Sequence, residues 1–369
     1  MAGSKVFYSD MQVNMDRPLL VKFLNLLKRS DLSQIDFKDR FVAVKTHFGE
    51  YGNLASLRPN WARVLCDYIK ELGGRPFLTD CNTLYIGGRK NALDHLSTAN
   101  FNGYCEITTG VHNIIADGLK GNDEVEVPVE GGEYVQKAKV GRALMDADII
   151  ISLSHFKGHE MAGFGGSLKN IGMGGGSRAG KMEMHSNEKP VVDPKLCIGC
   201  GRCHRICAHD APTLVGKVMH IDHNKCVGCG RCISVCPRDA ISAPLDATSA
   251  VMNCKIAEYT KAIIWGRPHY HISLAIDITP NCDCHADNAP PIVPNVGMFA
   301  SADPVAIDVA CADMVNKQAP IPGSVLADSK VTEGDHFHKI GPNTDWRSCI
   351  EHAQKLGLGT AEYELVKVN

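Results

Sequence analysis

The sequence predicts an α/β fold: a largely parallel sheet flanked by helices, interrupted by a small α+β insert rich in cysteine. Three observations lead there. Strand-like and helix-like segments alternate through the first half of the chain, the same rhythm resumes towards its end, and between them eight cysteines fall in two matching runs. Residues 1–190 and 244–369 are then two parts of one host domain, with residues 191–243 inserted between them. A βα rhythm on both sides of the cysteine block favours an insertion over three domains in series.

Lys5–Ser9 reads as a strand, and Pro18–Lys28 has the apolar spacing of an amphipathic helix. Phe41–Thr46 is a strand, Trp61–Leu72 a helix stopped by Gly73 and Gly74, and Pro76–Asp80 another strand. Val135–Met145 reads as a helix, and the apolar run Ile149–Leu153 suits a strand buried on both faces. Beyond residue 243, Ala250–Ile264 is a helix. Tyr270–Ile278 is a strand with His271, Ser273, Ala275 and Asp277 on one face. Val296–Ala300 is a short strand, and Asp303 as N-cap with Pro304 at the first position opens a helix through Val315. Trp346–Leu356 is a final helix and Tyr363–Val368 a final strand.

Composition excludes several classes. The 369 residues are 44% hydrophobic and 22% charged, as in an ordinary globular protein. A net charge of −2 leaves no basic footprint for nucleic acid. No Lys- and Arg-rich amphipathic helix suggests membrane docking. The opening residues lack the apolar core of a signal peptide, and no later run could span a bilayer, so the expected location is the cytoplasm. Sixteen cysteines do not read as a secreted disulfide scaffold in a chain this long, since half of them share one pattern.

That pattern is Cys197-x2-Cys200-x2-Cys203-x3-Cys207, repeated as Cys226-x2-Cys229-x2-Cys232-x3-Cys236-Pro237 at a constant offset of 29. Three thiolates two residues apart can wrap one face of an iron–sulfur cube, and the fourth points towards the neighbouring cube. One 4Fe–4S cluster then takes Cys197, Cys200, Cys203 and Cys236, and the other takes Cys226, Cys229, Cys232 and Cys207. Structural zinc sites use two Cys-x2-Cys pairs and not four cysteines in a row. The segment resembles a two-cluster bacterial ferredoxin, with Ala208 where that family has proline. Its seven cationic side chains face four acidic ones, a formal charge of +3, which implies a less negative potential than in an acidic ferredoxin.

The host offers four further constellations. Ser154-His155-Phe156-Lys157-Gly158-His159 follows the strand Ile149–Leu153, where ligands bind in parallel sheets. His155, His159, Lys169 and His185 are the candidate catalytic residues, able to move protons or hold an anion. The run from Gly163 to Lys181 holds eight glycines in nineteen residues, either a flexible loop or one whose amides cradle an anion or cofactor. Gly163, Gly165, Gly166, Lys169, Gly174 and Gly175 are its candidate binding residues. Asn281-Cys282-Asp283-Cys284-His285 could hold an extra metal, serve as a redox dithiol or supply a nucleophile. His47 and Asp80, at two other strand ends, could line the same cleft.

His155–Gly176, Asn281–His285 and Ser301–Asp308, with Cys197–Pro237 between, resemble the bacterial and archaeal proteins catalogued as domain of unknown function family 362 with a ferredoxin insert. The resemblance covers nearly the whole chain and implies an α/β host in a cluster-bearing redox protein, without a settled substrate. His159, Lys169 and His185, spaced 10 and 16 apart, are also similar to the His…Lys…His order of the lactate-racemase family. That family holds a nickel-pincer nucleotide on a lysine, and the similarity implies which residues line the site.

The expected function is an oxidoreductase of unknown substrate. Its two 4Fe–4S clusters relay electrons between a redox partner protein and a host site that holds a small molecule, with an additional metal or unidentified cofactor as a further expectation. Two alternatives stay open: a non-catalytic electron-transfer subunit, and a non-redox enzyme with structural clusters.

Overall fold

Apolar runs of strand length supply the main sheet, in an order that departs from that of the chain. The computed structural model describes residues 3–84, 87–186 and 189–368. Eight strands form the main sheet: β1 (Ser4–Asp10), β2 (Phe41–Lys45), β3 (Arg75–Asp80), β4 (Asn113–Ile115), β5 (Ile149–His155), β6 (His269–Ala275), β7 (Gly297–Ser301) and β8 (Tyr363–Lys367). Their order is β8-β1-β7-β6-β5-β2-β3-β4. Only β7 runs antiparallel to its neighbours, β1 and β6. The other adjacent pairs are parallel. The fold is α/β, as the alternation predicts.

Helices covering the faces include α1 (Leu19–Arg29), α2 (Pro59–Glu71), α3 (Ser167–Gly175), α4 (Arg178–His185), α5 (Ser249–Ile264), α6 (Pro304–Asn316) and α7 (Arg347–Lys355). Phe23 and Leu26 of α1 join Trp61 and Leu65 of α2 on one face. Leu168 of α3, Ile256 of α5 and Val305 of α6 share the core on the other. β5 is buried along its whole length and feeds both: Ile150 enters one core, and Ile149, Ile151 and Leu153 enter the other. From β2 the chain moves on to β3 at one side, and from β5 to β6 at the other. The connections diverge between β2 and β5, which opens a crevice at the carboxyl ends of these strands.

Three local expectations are corrected. Val135–Met145 is not one helix: Lys137–Gly141 is a strand paired with Glu124–Pro128, and only Arg142–Asp146 is helical. Pairing in this separate two-stranded ribbon overrides a helical spacing of apolar residues that is weak on its own. The strand expected at Tyr270–Ile278 ends at Ala275. The glycine-rich run is not a flexible loop, since α3 and α4 occupy most of it. Glycine is a poor helix former in isolation, and packing explains why it serves here. A Cβ on Gly172 would sit 2.2 Å from the Ile256 carbonyl oxygen, so glycine lets α3 lie directly on α5. The amide donors at the start of α3 are already taken: Ser167 N–H donates to Asp308 Oδ1 at 2.6 Å, and Leu168 N–H to Oδ2 at 3.0 Å.

The cysteine segment begins and ends on adjacent strands, Val191–Val192 pairing antiparallel with Ile241–Ser242. Pro212–Val215 pairs with Val218–Ile221 as a second small ribbon. Met219, Ile221, Ile233 and Ile241 form a separate apolar cluster with Cys203 and Cys236, and Leu84 and Met182 of the host complete it. No helix among the described residues is long and apolar enough to cross a membrane.

Candidate functional site

Strand ends converge on a cavity of about 640 Å³, part of it open to solvent. β2 delivers Lys45 and, just beyond, His47; β3 delivers Asp80; β5 delivers Ser154 and His155. Lys169, Asn170 and Gly174 enter from α3, Lys181 and His185 from α4, and Cys282 and Cys284 from the chain beyond β6. A parallel sheet ends its strands on one side, so residues far apart in sequence meet there.

The lining is cationic. Lys45, Arg89, Lys157, Lys169 and Lys181 face it, and among the described residues Asp80 supplies the single carboxylate of the lining. Buried charges need partners, and most have them. Lys45 Nζ lies 2.9 Å from Asp80 Oδ1, Arg89 Nε 3.0 Å from Glu50 Oε2, and Lys157 Nζ 3.2 Å from Asp283 Oδ2. Among the described residues, Lys169 and Lys181 have no carboxylate partner. Lys169 Nζ approaches Cys282 Sγ at 3.9 Å, and Lys181 Nζ donates to the carbonyls of Gly176 at 2.6 Å and Gly174 at 3.3 Å. The cavity therefore suits an anion.

The histidines have distinct states. His155 is committed to structure, its Nδ1 2.9 Å from Asp283 Oδ2 and its Nε2 2.7 Å from the Ile276 carbonyl. Burial, then the Arg89 charge, pushes His47 down to about 3. Burial does the same to His185, to about 3, with help from Lys169 and His159. Burial alone would raise Asp283, but His155 and Lys157 hold its carboxyl well below the usual range. Cys282 is held well below the ordinary thiol range by a hydrogen bond from Cys284, against the effect of burial and with the help of Lys169, Lys157 and His159. Cys284 is correspondingly raised.

His155, Lys169, His185, Gly165, Gly166, Gly174, His47, Asp80, Cys282 and Cys284 all line this one cavity. His159 lies against Cys282 and Cys284, with donor atoms of all three within 4.8 Å of one another. A second group of that compactness joins Glu160, Cys284 and His285, and His47 and Asp80 belong to neither. Gly163 packs on Trp346 and Gly175 on Ile263, so both serve packing. Sequence reasoning missed Lys45, Arg89 and Asp283. Lys45 carried one signal, a charge ending an apolar strand; Arg89 lies in an irregular segment and carried none.

The two cysteine quartets are placed differently. Cys197, Cys200, Cys203 and Cys236 line one small pocket, although Cys236 is distant in sequence. Backbone N–H groups point at the sulfurs: Met219 to Cys197 at 3.3 Å, Gly228 to Cys226 at 3.4 Å and Ala240 to Cys236 at 3.2 Å. Amide donors around sulfur are the environment of a metal thiolate. None of these cysteines belongs to either compact single-ion group.

The molecule is thus an α/β protein with a cation-lined cavity at its strand ends and cysteine groups suited to metal beside it. The chain belongs to the family described as domain of unknown function (DUF362), whose model matches residues 42–313. No curated protein matches it. Among solved structures, a protein from Thermotoga maritima is 14% identical, with a TM-score of 0.33, over 71% of this chain and 52% of that one. The chain thus spans about half the length of that protein. The lactate racemase apoprotein from Thermoanaerobacterium thermosaccharolyticum is 11% identical, with a TM-score of 0.42, over 100% of this chain and 83% of that one.

Proposed function

We propose that this chain is an iron–sulfur redox protein in which residues 191–243 form an inserted ferredoxin-like unit serving a small-molecule site in the host. Cys197, Cys200, Cys203 and Cys236 would hold one 4Fe–4S cluster, and Cys226, Cys229, Cys232 and Cys207 the other. Such clusters supply one-electron transfer when bound. The host's residues bind and orient an anionic substrate: Lys169 and Lys181 meet its charge, and the buried ion pairs keep the walls fixed.

Helix α4 is the observation that carries this reading. Its Met182 packs in the apolar cluster of the cysteine segment, while Lys181 and His185 on the same helix line the host cavity. At its N-terminus, Arg178 packs against Gly230, between Cys229 and Cys232 of the second quartet. Its guanidinium donates to the Thr83 carbonyl at 2.6 Å, and Thr83 lines the cavity. Helix α4 is therefore in contact with both the cysteine segment and the host cavity. In the first quartet Cys200 is exposed, with Ile198 beside it 60% exposed, while Cys203 and Cys236 are buried. The exposure at Cys200 leaves that cluster site open to a partner that delivers or takes electrons.

Anaerobic purification followed by iron and sulfide analysis tests the reading. About eight irons per chain are expected, falling to about four when Cys226→Ser removes one quartet. Protein without iron or without a paramagnetic signal after reduction overturns it.

A further inference from the structure

Cys282 and Cys284 sit in a turn closed by the His285 N–H donating to the Cys282 carbonyl at 3.2 Å. The turn is clamped from outside. The Asp283 side chain reaches His155 and Lys157, its carbonyl accepts from the Glu50 N–H at 2.9 Å, and the His285 carbonyl accepts from the Asn53 amide at 2.8 Å. Both sulfurs face the cavity, within 4.8 Å of each other and of a ring nitrogen of His159.

A metal ion and a dithiol both suit two sulfurs and an imidazole. The His159 ring decides between them. Its Nδ1 accepts from the backbone N–H groups of Met161 and Ala162, each at 3.0 Å. Backbone N–H groups cannot become acceptors, so the neutral ring carries its proton on Nε2. A histidine bound to metal needs one bare nitrogen on the ion and an N–H directed outward, which is the reverse. Nε2 lies 3.6 Å from Glu160 Oε1, close in charge but beyond hydrogen-bond reach.

We propose that Cys282 and Cys284 form a redox couple that cycles between dithiol and intrachain disulfide, with a small anionic disulfide as its oxidising substrate. Cys282 is the attacking sulfur, since Lys169 Nζ stands 3.9 Å from it with no carboxylate partner among the described residues. The Cys282 thiolate attacks one substrate sulfur, a Cys282–substrate bond forms, and one substrate thiolate leaves. Cys284 then displaces the second substrate thiolate and releases its proton, which closes the ring. Two electrons and one proton return the disulfide to thiolate and thiol. Supplying those electrons singly rests on the relay proposed for residues 191–243. The substrate is anionic because Lys169 and Lys181 leave the cavity short of negative charge, and small because the space is about 640 Å³.

Dithiodiglycolate and cystamine, small disulfides of opposite charge, test this on the full chain under anaerobic conditions. With Cys284→Ser, dithiodiglycolate is expected to leave half of itself on Cys282, located by peptide mass mapping, and Cys282→Ser to take none there. Cystamine is expected to react about tenfold more slowly. In the unaltered protein the 282–284 peptide should lose two hydrogens and regain them with dithiothreitol. Photoreduction should restore them only in protein that holds its clusters. No adduct and no closed ring, or stoichiometric zinc or iron that Cys282→Ser removes, overturns the couple. Equal rates for the two probes overturn the anionic substrate. A ring that closes in protein without iron refutes the relay and leaves the couple standing, whereas reducible clusters beside a ring that never closes refute the couple alone.

Discussion

The two cysteine environments of this protein are built on opposite plans. In residues 191–243, all eight cysteines come from two short runs with fixed spacing, and the local chain nearly suffices to place them. Around Cys282 and Cys284, partners arrive from β2, β3, β5, α3 and α4, and burial is nearly complete. The first plan tolerates solvent at Cys200; the second depends on paired charges in a desolvated crevice. A motif written by spacing can be inserted anywhere, whereas a crevice written by strand order cannot be moved. The cavity should therefore be the more fragile of the two.

The largest break is Asp283→Ala. It strips Lys157 and His155 of a shared buried carboxylate and should cost about 3–5 kcal/mol of host stability. Urea unfolding of anaerobic protein, with cluster absorbance followed alongside, reads both regions at once. The host is expected to melt earlier while iron content per folded chain stays constant.

Acid comes next. Below an ordinary pKa of 6.5 the unfolded chain takes protons on His47 and His185 that the folded host refuses until about 3. Stability is thus intact above pH 6.5 and lost as pH falls through that window, by about 1.4 kcal/mol per histidine per pH unit. Unfolding midpoints between pH 7 and 5 check this. A flat profile would show that these rings take protons in the folded state.

Gly172→Ala should cost about 1–3 kcal/mol, because its methyl would meet the Ile256 carbonyl where α3 lies on α5. Gly216→Ala in the cysteine segment, with no atom within 4 Å of the added Cβ but a left-handed φ of +63°, should cost about 1 kcal/mol. Thermal melts of the two variants compare helix packing with a turn. The smallest effect is Lys90→Ala, which removes the 2.7 Å bridge to Asp239 between host and segment. As a half-buried pair it should shift stability by no more than about 1 kcal/mol.

Much of this was legible in the residues themselves. The strands and most helices follow apolar period and caps, such as Asp303 Oδ1 accepting from the Val305 and Ala306 N–H groups. The cysteine quartets are legible because their information is local spacing. The glycine run was misread because its purpose lies in another helix: nothing near Gly172 reveals that Ile256 will press on it. Arg89 and Asp283 were invisible for a related reason. A buried charge is defined by its partner, and Glu50 and Lys157 lie far away in the chain.

The sequence by itself determined the α/β class, the order of most elements and the repeated spacing of the eight cysteines, because period, capping and spacing act between near neighbours. Tertiary structure alone decided that α4 stands between the cysteine segment and the cavity, which cations lack carboxylates, and which ring nitrogen of His159 carries the proton. Those depend on which strand ends meet in a desolvated crevice, and long-range pairing leaves no periodic trace in the chain.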